Sequence, residues 1–205
     1  MVLGQSGTGK STSIRNLNPD ETLLINVQSK ALPFKGGKVK FSKEAKNLLQ
    51  SDNPQTIIGL LAKVKDNPHI KIVVIDDSQY IMANQFMRAS EEKGFDKFNK
   101  IGRYYWDILN ACNQLPDDVI VFVMSHIDHD DSGREKAKTI GKMLDDKICL
   151  EGMFTMVLKT KVKDGQYLFC TQNNGNDTVK SPMEMFEQTE IENDLSIVVN
   201  AIRNY

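Results

Sequence analysis

Several things are scarce in this 205-residue sequence, and each scarcity narrows what the chain can be. No stretch of eighteen apolar residues occurs, so no transmembrane helix is expected. The opening Met1-Val2-Leu3-Gly4 has neither the basic region nor the apolar run of a secretory signal, and a cytoplasmic location is expected. Cysteine is rare and odd in number: Cys112, Cys149 and Cys170 are widely spaced, and they read as small reduced core residues rather than disulfide partners. The three histidines, His69, His126 and His129, form no zinc-ligand spacing with them. Net charge is only −1, so no bulk electrostatic signature of nucleic-acid binding exists, and any such contact must come from local patches. Repeats and low-complexity tracts are absent. The length suits one domain, here residues 1–205, with room for a sizeable core.

What is present starts at once. Gly4-Gln5-Ser6-Gly7-Thr8-Gly9-Lys10-Ser11 fits the phosphate-loop pattern G-x-x-x-x-G-K-[ST] and follows an apolar strand start. Its three glycines allow a tight turn whose N–H groups face an anion, and a helix from about Lys10 to Leu17 adds its positive end. Lys10 is placed to reach the β- and γ-phosphates, and the Ser11 hydroxyl to ligate Mg²⁺, with Thr12 completing the nucleotide-contacting run. ATP and Mg²⁺ are the expected cofactors.

The rest of the chain alternates apolar runs with helical patterns. Thr22–Val27, Ile70–Ile75 and Val119–Met124 read as buried strands. Val39–Phe41 reads as a short strand and Glu44–Gln50 as a small helix. Pro54 after Asn53 opens a helix with Ile57, Leu60, Leu61 and Val64 on one face. Further helices are expected over Gln79–Glu92, Phe98–Gln114 and Ile191–Arg203. Ile127–Asp146 reads as a long polar loop or a partly ordered segment. Strict alternation from Met153 to Lys163, then Asp164-Gly165 and Tyr167–Thr171, predicts an antiparallel hairpin. The expected fold is therefore α/β: a mainly parallel central sheet flanked by helices, ending in a C-terminal antiparallel hairpin. Ligands of such sheets gather at the carboxyl ends of the strands. Those ends carry Gly4–Ser11, Gln28, Asp76-Asp77 and Ser125-His126.

Each of these has a chemical reading. Ile72-Val-Val-Ile-Asp76 is an apolar strand ending in an acid, suited to hold Mg²⁺ opposite Ser11. Asp77 has two readings, as helix cap or as the group that orients or deprotonates an attacking water. His126, at the end of the next strand, is placed to touch the γ-phosphate and move the segment that follows. Arg134, Lys136, Lys138 and Lys142 form a local basic group, and Lys159, Lys161 and Lys163 line one face of a strand. For base stacking the aromatic candidates are Phe95, Phe98, Tyr104, Tyr105 and Trp106, most of them with core-like spacing.

Taken in order, Gly4–Ser11, Leu24–Val27 with Leu32-Pro-Phe-Lys-Gly-Gly37, Ile72–Ser78, Gly102-Arg-Tyr-Tyr-Trp106, Val123–His126 and Ser181-Pro-Met-Glu-Met-Phe186 resemble a RecA-type phosphate-loop ATPase core. More narrowly, the chain is similar to the phage-encoded RecA-core proteins of the Sak single-strand annealing group. The resemblance implies ATP-dependent handling of single-stranded DNA in phage recombination or replication, in the host cytoplasm. It implies DNA-binding loops at about Glu91–Lys100 and Ile127–Lys142, and a sensor residue at His126. Implied partners are single-stranded DNA, further copies of the chain around the nucleotide, and a single-strand DNA-binding or replication protein. The family's catalytic glutamate position matches Gln28, which holds a water without taking its proton. Hydrolysis is thus expected to be slow or to use Asp77. Lys180 is placed as a cation toward a neighbour's γ-phosphate. Nothing precedes the first strand, so the family's polymerising segment is expected to be absent or outside this chain. Two other readings remain open: a non-hydrolysing nucleotide switch or helicase accessory, and a small-molecule kinase, whose arginine-rich lid the scattered arginines do not supply.

Overall fold

The computed structural model describes residues 1–205. Its strands are β1 (Val2–Leu3), β2 (Thr22–Asn26), β3 (Leu48–Leu49), β4 (Ile72–Asp76), β5 (Ile120–Ser125), β6 (Ile127–His129), β7 (Glu135–Ala137), β8 (Leu158–Lys163), β9 (Gln166–Cys170) and β10 (Glu190–Glu192). The helices are α1 (Gly37–Lys40), α2 (Pro54–Val64), α3 (Gln79–Arg88), α4 (Asp96–Cys112), α5 (Lys142–Lys147) and α6 (Leu195–Asn204). Two short 3-10 helices, Ser11–Asn16 and Leu150–Met153, complete the set.

Eight strands form one sheet in the order β10-β9-β8-β1-β5-β4-β2-β3. From β3 to β8 neighbouring strands run parallel, and β9 and β10 run antiparallel beyond β8. A separate antiparallel pair joins β6 to β7. The architecture is α/β with a mostly parallel sheet, helices on both faces and a small second sheet.

The apolar runs are continuous because β2, β4 and β5 are covered on both faces. Ile25, Val73, Ile75 and Val123 enter a core shared with α2, α3 and α4. Their alternate neighbours Leu24, Val74, Phe122 and Met124 enter a second core, closed by Ile14 and Leu17 and by Leu195, Val198 and Val199 of α6. Asn53 caps α2 by accepting from Thr56 N at 3.1 Å, with Pro54 at the first helical position. Asp194 caps α6, taking Ser196 N at 2.9 Å.

Local patterns that no core enforced came out otherwise. Val39 belongs to a single helical turn and lies exposed, not in a strand. The segment expected as a small helix at Glu44–Gln50 instead supplies β3, which pairs with β2. The sheet edge at Leu24 and Ile25 offered backbone partners that outweighed a weak helical preference. Strand order in the Met153–Lys163 run begins only at Leu158, since residues before it make a 3-10 turn and a single bridge from Val157 to Lys180. Of the two readings of Ile127–Asp146, a long loop or a partly ordered segment, the second is the one seen: it holds the β6–β7 hairpin followed by α5. Ile191 lies in β10, so the last helix starts four residues later than its pattern suggested. Asp164 and Gly165 both take positive φ, +51° and +76°, as a two-residue hairpin turn requires. Cys112 is buried, but Cys149 is exposed, against the expectation of a core residue.

Candidate functional site

The carboxyl end of β1 runs into Gly4, whose N–H donates to Ser125 O at 3.2 Å, so the loop is tied to the end of β5 from its first residue. Gly7 and Gly9 take φ of +78° and +98°, a region that favours glycine. Gly4 is required by contact: a Cβ there would lie 1.8 Å from Thr160 Oγ1 on β8. Thr160 Oγ1 also meets Thr8 Oγ1 at 2.5 Å, and Thr8 Oγ1 donates to Gln5 O at 2.7 Å. Gln5, Ser6 and Gly7 are exposed, and the N–H groups of Ser6, Gly7 and Gly9 donate to nothing within the protein. Free amides on a glycine-rich turn are the donors an anion uses.

Lys10 is buried beneath this loop. Its ammonium donates to Gly4 O at 2.8 Å and Gln5 O at 2.9 Å. Burial lowers its pKa to about 8, against the opposing pull of Asp77 and Asp76. The helix expected to begin there is a six-residue 3-10 helix, Ser11–Asn16, carrying Thr12 in its first turn. Two turns of 3-10 helix make a small dipole, so Lys10 and the loop amides carry most of the positive field.

Ser11 Oγ donates to Asp76 Oδ1 at 3.0 Å, joining two residues 65 positions apart. Burial, then the charge of Asp77, pushes the Asp76 carboxyl up to about 6, while Ser11, Lys30 and Lys10 oppose the rise. Asp77 is buried with φ of +58°, strained backbone for a residue with a side chain. Its side chain caps no helix: α3 begins after Ser78 without a side-chain cap. Instead Asp77 faces Lys30, in a close ion pair, and His126 Nε2, at 3.7 Å from Oδ1. Ser78 is committed elsewhere, to Tyr105 Oη at 2.9 Å and Met124 O at 2.8 Å.

His126 follows β5, which lies between β1 and β4, so the strand order alone delivers it between the phosphate loop and the acids. Gln79 Oε1 accepts from its backbone N–H at 3.3 Å, and the ring meets Tyr80 edge-on with centroids 6.1 Å apart. Burial, then Lys10, lowers the His126 pKa, which favours the neutral imidazole at pH 7. Gln28, just past β2, is half-buried and makes a long contact from Nε2 to Asn84 Oδ1, 3.5 Å.

Ser11, Asp76, Asp77, His126 and Lys10 therefore converge. The fit to Mg²⁺ is partial by design of the ion: no cluster of three acidic, histidine or cysteine groups is present, but Mg²⁺ keeps waters and phosphate oxygens and takes one or two carboxylates. A hydroxyl and a carboxylate already in contact suit it.

The basic residues behave differently. Lys136 pairs with Asp145 at 2.6 Å, and Arg134 Nε donates to Asp177 O at 3.1 Å. Only Lys138 and Lys142 stand exposed and uncommitted. The β8 lysines are also engaged: Lys159 with Glu135 and Asp177, Lys161 and Lys163 with Glu190. Of the aromatic candidates Tyr105 is core, while Phe95 is exposed beside the stacked pair Phe86–Phe98. Lys180 pairs through its backbone with Val157 and its charge acts on the buried Met1 amine. That places it toward the amino end of β1, the opposite end of the sheet from the phosphate loop of its own chain.

Three residues of the site were not singled out by motif. Lys30 follows the carboxyl end of β2 by four positions, and strand-end position was the available signal. Thr160 lies on the inward face of the β8 alternation, and its contact with Gly4 and Thr8 needs the fold. Asn193 is buried beside Gly9, and both its side-chain polar atoms lack a partner; nothing local in the sequence marks it. No protein-family model matches the chain, and no curated protein matches it.

Proposed function

We propose that this chain is a RecA-like ATPase core that binds ATP with Mg²⁺ and acts on single-stranded DNA, as the resemblance to the Sak annealing group implies. The observation that carries the nucleotide half is the Ser11–Asp76 contact of 3.0 Å at the mouth of a loop whose amides and buried Lys10 have no anionic partner. Bound Mg²⁺ would polarise the phosphates held there. Ser11 and Asp76 would hold the ion, Lys10 would leave the Gly4 and Gln5 carbonyls for the phosphates, and His126 would report the γ-phosphate to the β6–β7 hairpin. Asp77 is the nearest carboxylate to accept a proton from water. Gly4 to Thr12 would cradle the phosphates.

The DNA half rests on the resemblance and on position: the β6–β7 hairpin, with exposed Lys138 and Lys142 following, starts directly after His126. Proposed partners are single-stranded DNA, further copies of the chain at the nucleotide, and a single-strand DNA-binding or replication protein; the proposed compartment is the cytoplasm of a phage-infected cell. No helix of the chain is long and apolar enough to cross a membrane.

The decisive assay measures ATP turnover by the purified chain with and without single-stranded DNA. DNA-stimulated turnover, or an ATP-dependent salt-sensitive complex, is expected. No complex at low salt in either nucleotide state removes the DNA half. Lys10→Ala is expected to abolish nucleotide binding, and an unchanged ATP affinity in that variant overturns the nucleotide half. One observation favours a second reading, a switch that binds ATP without cleaving it: Gln28 is no base, and Asp77 is held by Lys30. Single-turnover measurement separates the two, since a switch leaves bound ATP intact.

A further inference from the structure

Asp77 is the one strained, buried carboxylate at the site, and its partner comes from a segment outside both phosphate motifs. Asn26 Nδ2, at the end of β2, donates to Lys30 O at 2.7 Å and fixes the Lys30 backbone beside the strand end. The Lys30 ammonium forms a close ion pair with Asp77. The two members differ sharply in freedom, with side-chain exposures of 60% for Lys30 and 4% for Asp77. The Asp77 oxygen that faces Lys30 is buried, and no other group of the fold bonds to it. Asp77 is fixed, and Lys30 is a movable arm with a compact charge on a four-carbon stem.

Three further groups press on this pair. Asp76 precedes Asp77 and takes the Ser11 hydroxyl. Lys10 lies near enough for its charge and that of Lys30 to oppose one another. His126 Nε2 reaches the other oxygen of Asp77 at 3.7 Å. Two lysines crowded around two carboxylates form a balanced set that an added polyanion disturbs. A solvent-facing lysine is the member that gives way, because Asp77 is fixed in the fold while the Lys30 ammonium stays hydrated wherever its stem carries it.

We propose that Lys30 reads the terminal phosphate: with a triphosphate on Gly4–Ser11 its ammonium transfers from Asp77 to the γ-phosphate, and with a diphosphate it stays on Asp77. The same exchange frees Asp77 only when a γ-phosphate is present, which couples this buried carboxylate to the nucleotide state. Lys30 thus sets the preference for ATP over ADP, by making a contact that exists in only one of the two complexes. This inference rests on the nucleotide-binding reading above.

The test measures Mg²⁺-dependent affinities of the full chain for ADP and for a non-hydrolysable ATP analogue, by calorimetry. Lys30→Met is expected to weaken the ATP analogue at least tenfold and ADP less than threefold, and Lys30→Arg to keep the preference. Because Lys30→Met leaves Asp77 buried without its cation, the double variant Lys30→Met/Asp77→Asn is measured alongside. It is expected to stay as poor for the ATP analogue as the single variant. Equal losses for both nucleotides, no loss for either, or a recovered ATP preference in the double variant overturns the role of Lys30 and leaves the nucleotide site standing. Failure of the unaltered chain to bind either nucleotide overturns both readings.

Discussion

Asp76 shows how much a single buried group can decide. Its carboxyl is raised to about 6, so the folded protein holds a proton that the unfolded chain, near 4, has released. Between those values stability falls as pH rises, because ionisation is then disfavoured in the fold alone. In metal-free protein, Asp76→Asn is therefore expected to raise the melting temperature at pH 8 and to change it little at pH 4. Scanning fluorimetry at the two pH values checks this; a lower melting temperature at pH 8 would mean that Lys10 and Lys30 already compensate the charge. Gly4 makes a steric counterpart. Gly4→Ala drives a methyl into Thr160, and with β1 and β8 paired on both sides neither can retreat. A loss of about 2–3 kcal/mol in urea unfolding is expected, at the upper end for an overpacked site. Thiol chemistry offers a third residue-scale check. Burial pushes Cys112 up to about 12, whereas Cys149 is exposed. A maleimide is expected to label Cys149 first and Cys112 only on unfolding, since the thiolate is the reactive form.

Among the elements, the β6–β7 hairpin carries most of the functional question. It begins at the residue after His126, and Lys138 N donates back to His126 O at 2.9 Å, so a shift of the histidine is felt along the whole segment. Its cations are not equivalent. Lys136 is held by Asp145, which also takes Thr139, whereas Lys138 and Lys142 face water. If this segment meets single-stranded DNA, Lys138→Ala with Lys142→Ala is expected to flatten the salt dependence of binding by roughly 1.4 in log–log slope, about 0.7 per phosphate contact. An unchanged slope places the interface elsewhere. The α2 helix supplies a structural control away from the site: Asn53→Ala removes the cap on Thr56 N and is expected to lower stability by about 1 kcal/mol without altering nucleotide affinity.

At the scale of the molecule, strand order does the organising. β5 inserted between β1 and β4 sets His126 between the loop and the acids, and β2 on the far side of β4 brings Lys30 to Asp77. Four strands thus deliver their carboxyl ends to one place, where open α/β sheets gather ligands. The opposite end of the sheet holds Lys180 and the buried Met1 amine, which donates to Met156 O at 2.7 Å. A lysine there cannot serve the phosphate loop of the same chain; it faces a neighbouring copy or none.

The sequence by itself determined the glycine-rich turn Gly4–Ser11, because glycines at fixed spacing are a local backbone requirement. It also determined the buried parallel strands β2, β4 and β5 and the hairpin turn at Asp164-Gly165, where apolar continuity and turn chemistry act over a few residues. Strand-end position marks Asp76, Asp77 and His126 as neighbours of that turn. Tertiary structure alone decided the rest. Whether Leu48-Leu49 pairs as a strand depended on a sheet edge twenty-four residues away at Leu24-Ile25. Whether a lysine is free depended on acids that reach it through the fold, as Glu135 and Asp177 reach Lys159 and as Asp145 reaches Lys136. The Lys30–Asp77 pair, between residues 47 apart in the chain, arises only when β2 and β4 lie side by side. Charge pairing across a sheet leaves no periodic trace in the chain, since Coulomb attraction depends on distance in space and not on spacing in sequence.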